Sequence, residues 1–186
     1  MKILSSDIVL RTPIFYIIKK KLLFPNGKNK TYWYINSTPN VNIIAVTNDK
    51  KIIFIKQKRG NNKSRLEFPG GILRNFRNSL NEAKKKALQE LEEETGYKAL
   101  NIDLLKSVIL SDSWIKRKYF IFIAWNLEYV GQKLSIDEDI QVMEIKIKNI
   151  LENINNLGLA YYQDVYLLKE GLTKLAENKI INMSDL

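Results

Sequence analysis

Four carboxylates stand within five residues in Glu90-Leu91-Glu92-Glu93-Glu94, and a Phe68-Pro69-Gly70-Gly71 turn lies upstream of them. Glu90 and Glu94 have the i,i+4 spacing that places two side chains side by side on a helix. Two adjacent anions repel each other, and partial burial adds a desolvation cost. A hard divalent cation relieves both penalties, and oxygen ligands suit Mg²⁺ or Mn²⁺. The alternative for such a run is a solvated acidic helix end, but the glycine turn before it favours a cation that grips phosphates.

A helix must carry these acids. Ser79 and Glu82 have capping-box spacing. From there to Thr95 the chain lacks Pro and Gly and is rich in Ala, Leu, Lys, Gln and Glu. Gly96 supplies the stop. Leu80, Ala83, Ala87 and Leu91 form one apolar stripe, and Glu90 and Glu94 fall on its flank. Lys85, Gln89 and Glu92 take the outer side. The Lys19–Lys21 and Lys84–Lys86 runs read as solvated faces, with Lys84 nearer the buried side.

These residues resemble a Nudix box, G-x5-E-x7-R-E-U-x-E-E-x-G-U with U aliphatic or aromatic. Gln89 to Tyr97 match its second half, with Gln89 where the pattern has Arg. The first half is irregular. The segment from Gly71 to Glu90 is four residues longer than the pattern, and Glu82 is the nearest counterpart of the pattern's first Glu. Upstream, Gln57-Lys58-Arg59 follows two apolar runs. Downstream, Asp137-Glu138-Asp139 precedes another. That order is similar to the ADP-ribose pyrophosphatase-like members of the family, and the resemblance spans nearly the whole chain.

The resemblance implies hydrolysis of a nucleoside diphosphate linked to a second moiety, ADP-ribose or another nucleotide sugar, with Mg²⁺ or Mn²⁺ as cofactor. By resemblance the metal ligands are Glu90, Glu94 and the carbonyl of Gly70, and Glu93 positions metal or water. Arg59 contacts phosphate or the terminal sugar, and Glu67 is the acidic residue before the Pro-Gly turn. Glu138 is the base, with Asp137 and Asp139 as alternatives and an ordinary solvated turn as the plain reading. Trp33, between Tyr32 and Tyr34, stacks on a base or serves the core or a dimer. A homodimer is implied in the same way. Two rival readings stand beside this one. A catalytically weak Nudix-fold nucleotide-binding module is favoured by Gln89 and the lengthened loop. An RNA 5′-end pyrophosphohydrolase is favoured by charge alone.

Composition narrows the chemistry. The 186 residues contain no Cys and no His. Disulfides, Cys zinc sites, His triads and His general bases are thereby excluded. The formal charge of +10 suits polyanionic ligands or reflects a Lys-, Asn- and Ile-rich bias. No apolar run approaches the roughly 20 residues of a membrane helix, and no targeting segment is visible, so a cytoplasmic location is the default.

The expected fold is α/β, a Nudix α/β/α sandwich around a mixed sheet. An N-terminal antiparallel β extension takes residues 1–40, and the Nudix domain takes residues 41–186. Asp7–Leu23 and Thr31–Ser37 read as the arms of a hairpin around Pro25-Asn26-Gly27. Val41–Thr47 and Lys51–Lys58 form a second. Ile102–Leu110, Tyr119–Tyr129 and Ile140–Ile147 are further strands. Asn149–Leu157 is a short helix, and Leu159–Glu177 a longer one with a break expected at Gly171.

Overall fold

In the computed structural model, residues 1–58, 64–111, 114–136, 138–159 and 162–182 are described. The strands are β1 (Lys2–Arg11), β2 (Phe15–Leu23), β3 (Asn29–Ser37), β4 (Asn40–Val46), β5 (Lys51–Gln57), β6 (Arg65–Glu67), β7 (Gly70–Ile72), β8 (Tyr97–Ser111), β9 (Ile115–Tyr129) and β10 (Ile140–Lys146). The helices are α1 (Leu80–Thr95), α2 (Ile147–Asn153) and α3 (Tyr162–Glu177). All ten strands join one sheet with the path β1-β2-β3-β9-β4-β5-β10. β9 lies parallel to β4 along Asn40–Ala45, and most other pairings are antiparallel.

The two faces of β4 explain the layers. Val41, Ile43 and Ala45 pack with Ala83, Ala87 and Leu91 of α1. Ile44 and Val46 pack with Leu168, Leu172 and Leu175 of α3. β9 divides likewise, with Phe120, Phe122 and Ala124 toward α1 and Ile121 and Ile123 toward α3. A strand buried on both faces reads as a continuous apolar run, which is why these strands are visible in sequence. Each large aliphatic side chain fully buried here contributes about 1.5–3 kcal/mol. The α/β sandwich around a mixed sheet is therefore as expected.

Several local expectations are corrected. Asp7–Leu23 is two strands, because Pro13 offers no N–H and Thr12 makes its own turn. The Thr12 hydroxyl donates to the Phe15 carbonyl at 2.8 Å and accepts from the Phe15 N–H at 3.0 Å. Leu80 is exposed rather than part of the buried stripe, since it stands in the first turn beyond the edge of the core. α3 runs through Gly171 without a break. β8 begins at Tyr97, directly after the cap of α1. The short helix is α2 followed by a 3-10 turn over Ile154–Asn156.

Residues 1–37 enter the same sheet through β3, which pairs with β9 at Ile35↔Ile115 and Asn36↔Lys116. Every residue of β1 is exposed.

Candidate active site

The capping of α1 sets where its acids point. The Ser79 hydroxyl accepts from the Glu82 N–H at 3.2 Å, and the Glu82 carboxylate accepts from the Ser79 N–H at 2.7 Å. At the other end Gly96 is left-handed, with φ 76°, and its N–H donates to the Glu92 carbonyl. Both expected caps are present, so α1 has the start and the stop read from the sequence.

The two glycines of the turn lie in β7, which pairs with β4 at Asn42↔Gly70 and Val41↔Gly71. Each has a neighbour where a side chain would stand. A Cβ on Gly70 would lie 2.1 Å from the Val41 carbonyl oxygen, and one on Gly71 would lie 2.0 Å from Glu90 Oε1. Only glycines let the strand and the acids of α1 come this close.

Each acid of the run has its own partner. Glu94 is buried, and its Oε2 accepts from the Gly70 N–H at 2.8 Å. Glu90, with its side chain 13% exposed, places Oε1 2.5 Å from Lys86 Nζ. Glu93 accepts from the Gln89 carboxamide at 2.9 Å. Glu92 pairs with Lys133 at 2.8 Å, and that hydrogen bond holds the Glu92 carboxyl below its usual range. Lys86 thus departs from the solvated face expected of the Lys84–Lys86 run. It stands one turn before Glu90, where an i,i+4 pair forms.

The structure brings Gly70, Glu90 and Glu94 together at the contact between β7 and α1, with Glu93 on the same helix turn. Glu67 joins Gly70 and Gly71 in the wall of a cavity of about 100 Å³, whose other lining includes Asn40, Asn42, Arg117, Tyr119 and Asp164. Arg117 is oriented by a hydrogen bond from its Nε to the Ser37 hydroxyl at 3.0 Å. Glu138 folds back to accept from the Ser135 N–H at 3.0 Å. Its loop is tied to the end of α1, because the Lys133 N–H donates to the Glu93 carbonyl and Gln132 Nε2 donates to the Glu94 carbonyl. Trp33 is 54% exposed, with Lys19 Nζ 5.6 Å from its ring centroid. It does not line the cavity. Arg59 and Asp137 lie outside the described residues.

Among the described residues no three acidic side chains converge as a finished metal cage. The donor set where β7 meets α1 nevertheless fits a hard cation. It is all oxygen, from two carboxylates and the residue whose N–H already holds one of them, and Lys86 already places positive charge on Glu90.

The NUDIX domain profile matches residues 36–153. The chain belongs to the Nudix family. The ADP-ribose pyrophosphatase of Bacillus subtilis (strain 168) is 27% identical, over 92% of this chain and 95% of that protein. The methanol dehydrogenase activator of Bacillus methanolicus is 29% identical, over 70% of each. A crystal structure described as an ADP compounds hydrolase superposes with a TM-score of 0.75, 21% identity and coverage of 97% and 96%. It shares the Nudix fold found here.

Arg117, Tyr119, Asn42 and Asp164 escaped the sequence reading. They come from β9, β4 and α3, far apart in the chain, and the placement of β9 beside β4 with α3 packed over both joins them. Lys86 was also missed, being read as part of a solvated face, although its i,i+4 spacing to Glu90 was a signal for the pair.

Proposed function

We propose that the protein is a divalent-metal-dependent pyrophosphohydrolase. It cleaves a nucleoside diphosphate linked to another moiety, ADP-ribose or another nucleotide sugar, giving a nucleoside monophosphate and a sugar phosphate. The observation that carries this reading is the buried Glu94 held on the Gly70 N–H, with Glu90 set over Gly71. Gly70 and Gly71, which meet this pair, also line a cavity that contains Arg117. The nearly full-length similarity to an ADP-ribose pyrophosphatase supports the substrate class.

Glu90, Glu94 and the Gly70 carbonyl would hold Mg²⁺ or Mn²⁺. When bound, the metal neutralises phosphate charge and makes water a stronger nucleophile. The chain's own residues do the rest. The Gly70 N–H fixes one oxygen of Glu94, so that carboxylate is set before substrate arrives. Arg117, braced by Ser37, presents a planar donor to phosphate oxygens, and Arg59 serves the far phosphate or sugar. Glu138 takes the proton of the attacking water, on a loop anchored to α1 through Gln132 and Lys133. Glu93, held by Gln89, orients metal or water. The β extension of residues 1–40 carries the exposed β1, which supports pairing of two copies in a homodimer. Among the described residues, no helix is long and apolar enough to cross a membrane.

The test is Glu94→Gln. The change is nearly isosteric and removes a charged ligand, so turnover of ADP-ribose should fall by at least about 100-fold with the melting temperature little changed. A folded variant with normal turnover overturns the assignment.

A further inference from the structure

We propose that the lengthened loop between β7 and α1, together with the first strands of the chain, forms a site for a phosphate dianion, free or as a monoester. The site is separate from the carboxylates of α1 and does not depend on the hydrolase reading. The loop, residues 73–79, carries Arg74, Phe76 and Arg77. Phe76 rests on Tyr16 of β2, with ring centroids 4.8 Å apart. The Leu73 N–H donates to the Pro39 carbonyl at 2.9 Å. The loop is thereby fixed on the N-terminal strands. Arg77 follows Phe76 directly and Arg74 precedes it by two residues, so both Cα atoms lie within about 7 Å of that of Phe76.

Tyr16 belongs to a row that crosses four strands. Arg11 pairs with Tyr16, Tyr16 with Asn36, and Asn36 with Lys116. Directly paired residues point to one face of a sheet, and the contacts agree. The Arg11 guanidinium lies 5.5 Å from the Tyr16 ring centroid, and the Asn36 carboxamide donates to the Tyr16 hydroxyl. That hydroxyl keeps its own proton to donate. Lys118, the next residue on the face of Lys116, lies over Phe120, which packs with α1. The row therefore lies on the α1 side of the sheet, whereas Arg117 lines the cavity on the α3 side.

Four exposed cations meet at this patch: Arg11, Arg74, Arg77 and Lys116. Among the described residues none of the four pairs with a carboxylate, although Lys51, Lys86, Lys106, Lys133 and Lys174 all do. The chain has 24 lysines and only six arginines, and three of those six are here. A lysine-rich bias does not account for that. A guanidinium forks onto two oxygens of one phosphate, which an ammonium cannot do. A phosphate dianion presents three acceptor oxygens and a charge near −2, which matches several guanidiniums and one hydroxyl donor around an aromatic floor.

The test is titration calorimetry of the full chain at fixed ionic strength, with inorganic phosphate and AMP as the probes. EDTA is present, so that no divalent cation bridges the anion to Glu90 or Glu94. Inorganic phosphate should bind the wild type, and Arg74→Ala and Arg77→Ala should each weaken it about five-fold. Arg77→Lys keeps the charge but loses the fork, and it should still weaken binding about two-fold. Lys21→Ala removes the same charge from an exposed position on β2 and should change nothing. Phosphate should also raise the melting temperature of the wild type but not that of the Arg74→Ala/Arg77→Ala double variant. Both arginines are exposed, so the variants keep the fold. AMP that binds alongside phosphate, and weakens with it, extends the site to monoesters. Phosphate binding without AMP binding upholds the site and assigns it to the free ion. No phosphate binding, unchanged affinity in the arginine variants, or an equal loss in Lys21→Ala overturns the proposal. So does an equal loss in Glu94→Gln, which would place the anion at the acids of α1. Normal turnover by Glu94→Gln would remove the hydrolytic assignment and leave these affinities untouched.

Discussion

Lys86→Met should raise the affinity of the protein for Mn²⁺. In the structure Lys86 Nζ sits 2.5 Å from Glu90 Oε1, with the side chains 28% and 13% exposed. A cation that takes this oxygen must displace the ammonium or share the carboxylate with it. At an effective dielectric of about 20 the bare attraction across such a gap is roughly 6–7 kcal/mol. Desolvation and the ordering of a long side chain offset most of that, and the net value for a partly exposed i,i+4 pair is on the order of 1 kcal/mol. Removing the competitor should therefore tighten Mn²⁺ binding about five-fold. Met keeps the aliphatic stem that packs on the helix, so packing is little disturbed. The assay is titration of free Mn²⁺ by electron paramagnetic resonance, without substrate. Lys85→Met is the control, since it makes the same change in net charge on an exposed residue of the same helix. Equal shifts in both variants would mean that only overall charge matters. Unchanged or weaker binding in a folded Lys86→Met would refute the competition.

Gly71→Ala and Gly70→Ala should fail in different ways. The new methyl at position 71 meets the end of the Glu90 side chain, so the fold should survive while Mn²⁺ binding and turnover fall at least about ten-fold. At position 70 it meets the Val41 carbonyl, a backbone atom, so the melting temperature itself should drop. Equal thermal losses in the two would contradict the placement of Glu90. Glu138→Gln should lower kcat strongly with little change in Mn²⁺ affinity, whereas Asp139→Asn should do less; the reverse ranking would move the base to the aspartate. Tyr97 predicts an alkaline effect. Burial, then its hydrogen bond to Glu144, pushes its hydroxyl up to about 12. The neutral phenol is the form favoured by the fold, so its contribution is complete below the ordinary value of 10.0 and is lost as pH rises through about 12. Tyr97→Phe should flatten that part of the fall in melting temperature between pH 10 and 12, and an unchanged slope would refute it.

Local chemistry made α1 legible. Ser79, Glu82 and Gly96 act on their own neighbouring backbone, so their effect is written in adjacent residues. The doubly buried strands were legible because Ile43–Val46 and Ile52–Ile55 have no polar alternation to hide them. The division of β1 from β2 was missed because Thr12 and Pro13 punctuate a segment whose β-branched residues run on across them. Glu90 and Glu94 could be paired from their i,i+4 spacing on one helix, and Gly70 was joined to them by the family resemblance. The walls contributed by Arg117, Tyr119 and Asp164 could not, since they depend on β9 lying between β3 and β4 and on α3 packing over that part of the sheet. Neighbours in that sheet are not neighbours in the chain, and no local pattern announces them.

The variant box is chemically coherent once the partners of its acids are compared. The family pattern braces this turn with an arginine, and here a neutral carboxamide, Gln89, holds Glu93 instead. Glutamine cannot supply charge, and the charge comes from two lysines, Lys86 on Glu90 and Lys133 on Glu92. These partners differ in how readily they leave. The Gly70 N–H that holds Glu94 belongs to a strand fixed by pairing with β4, so it cannot withdraw. Lys86 hangs on a flexible stem and can. On the proposed metal site Glu94 would therefore be the fixed ligand and Glu90 the exchangeable one. On that logic, restoring arginine by Gln89→Arg adds a charged brace at Glu93 but leaves the Lys86 competition in place. It should raise turnover more than it raises Mn²⁺ affinity, and a gain confined to metal affinity would show that Glu93, not Glu90, is the ligand that limits the site.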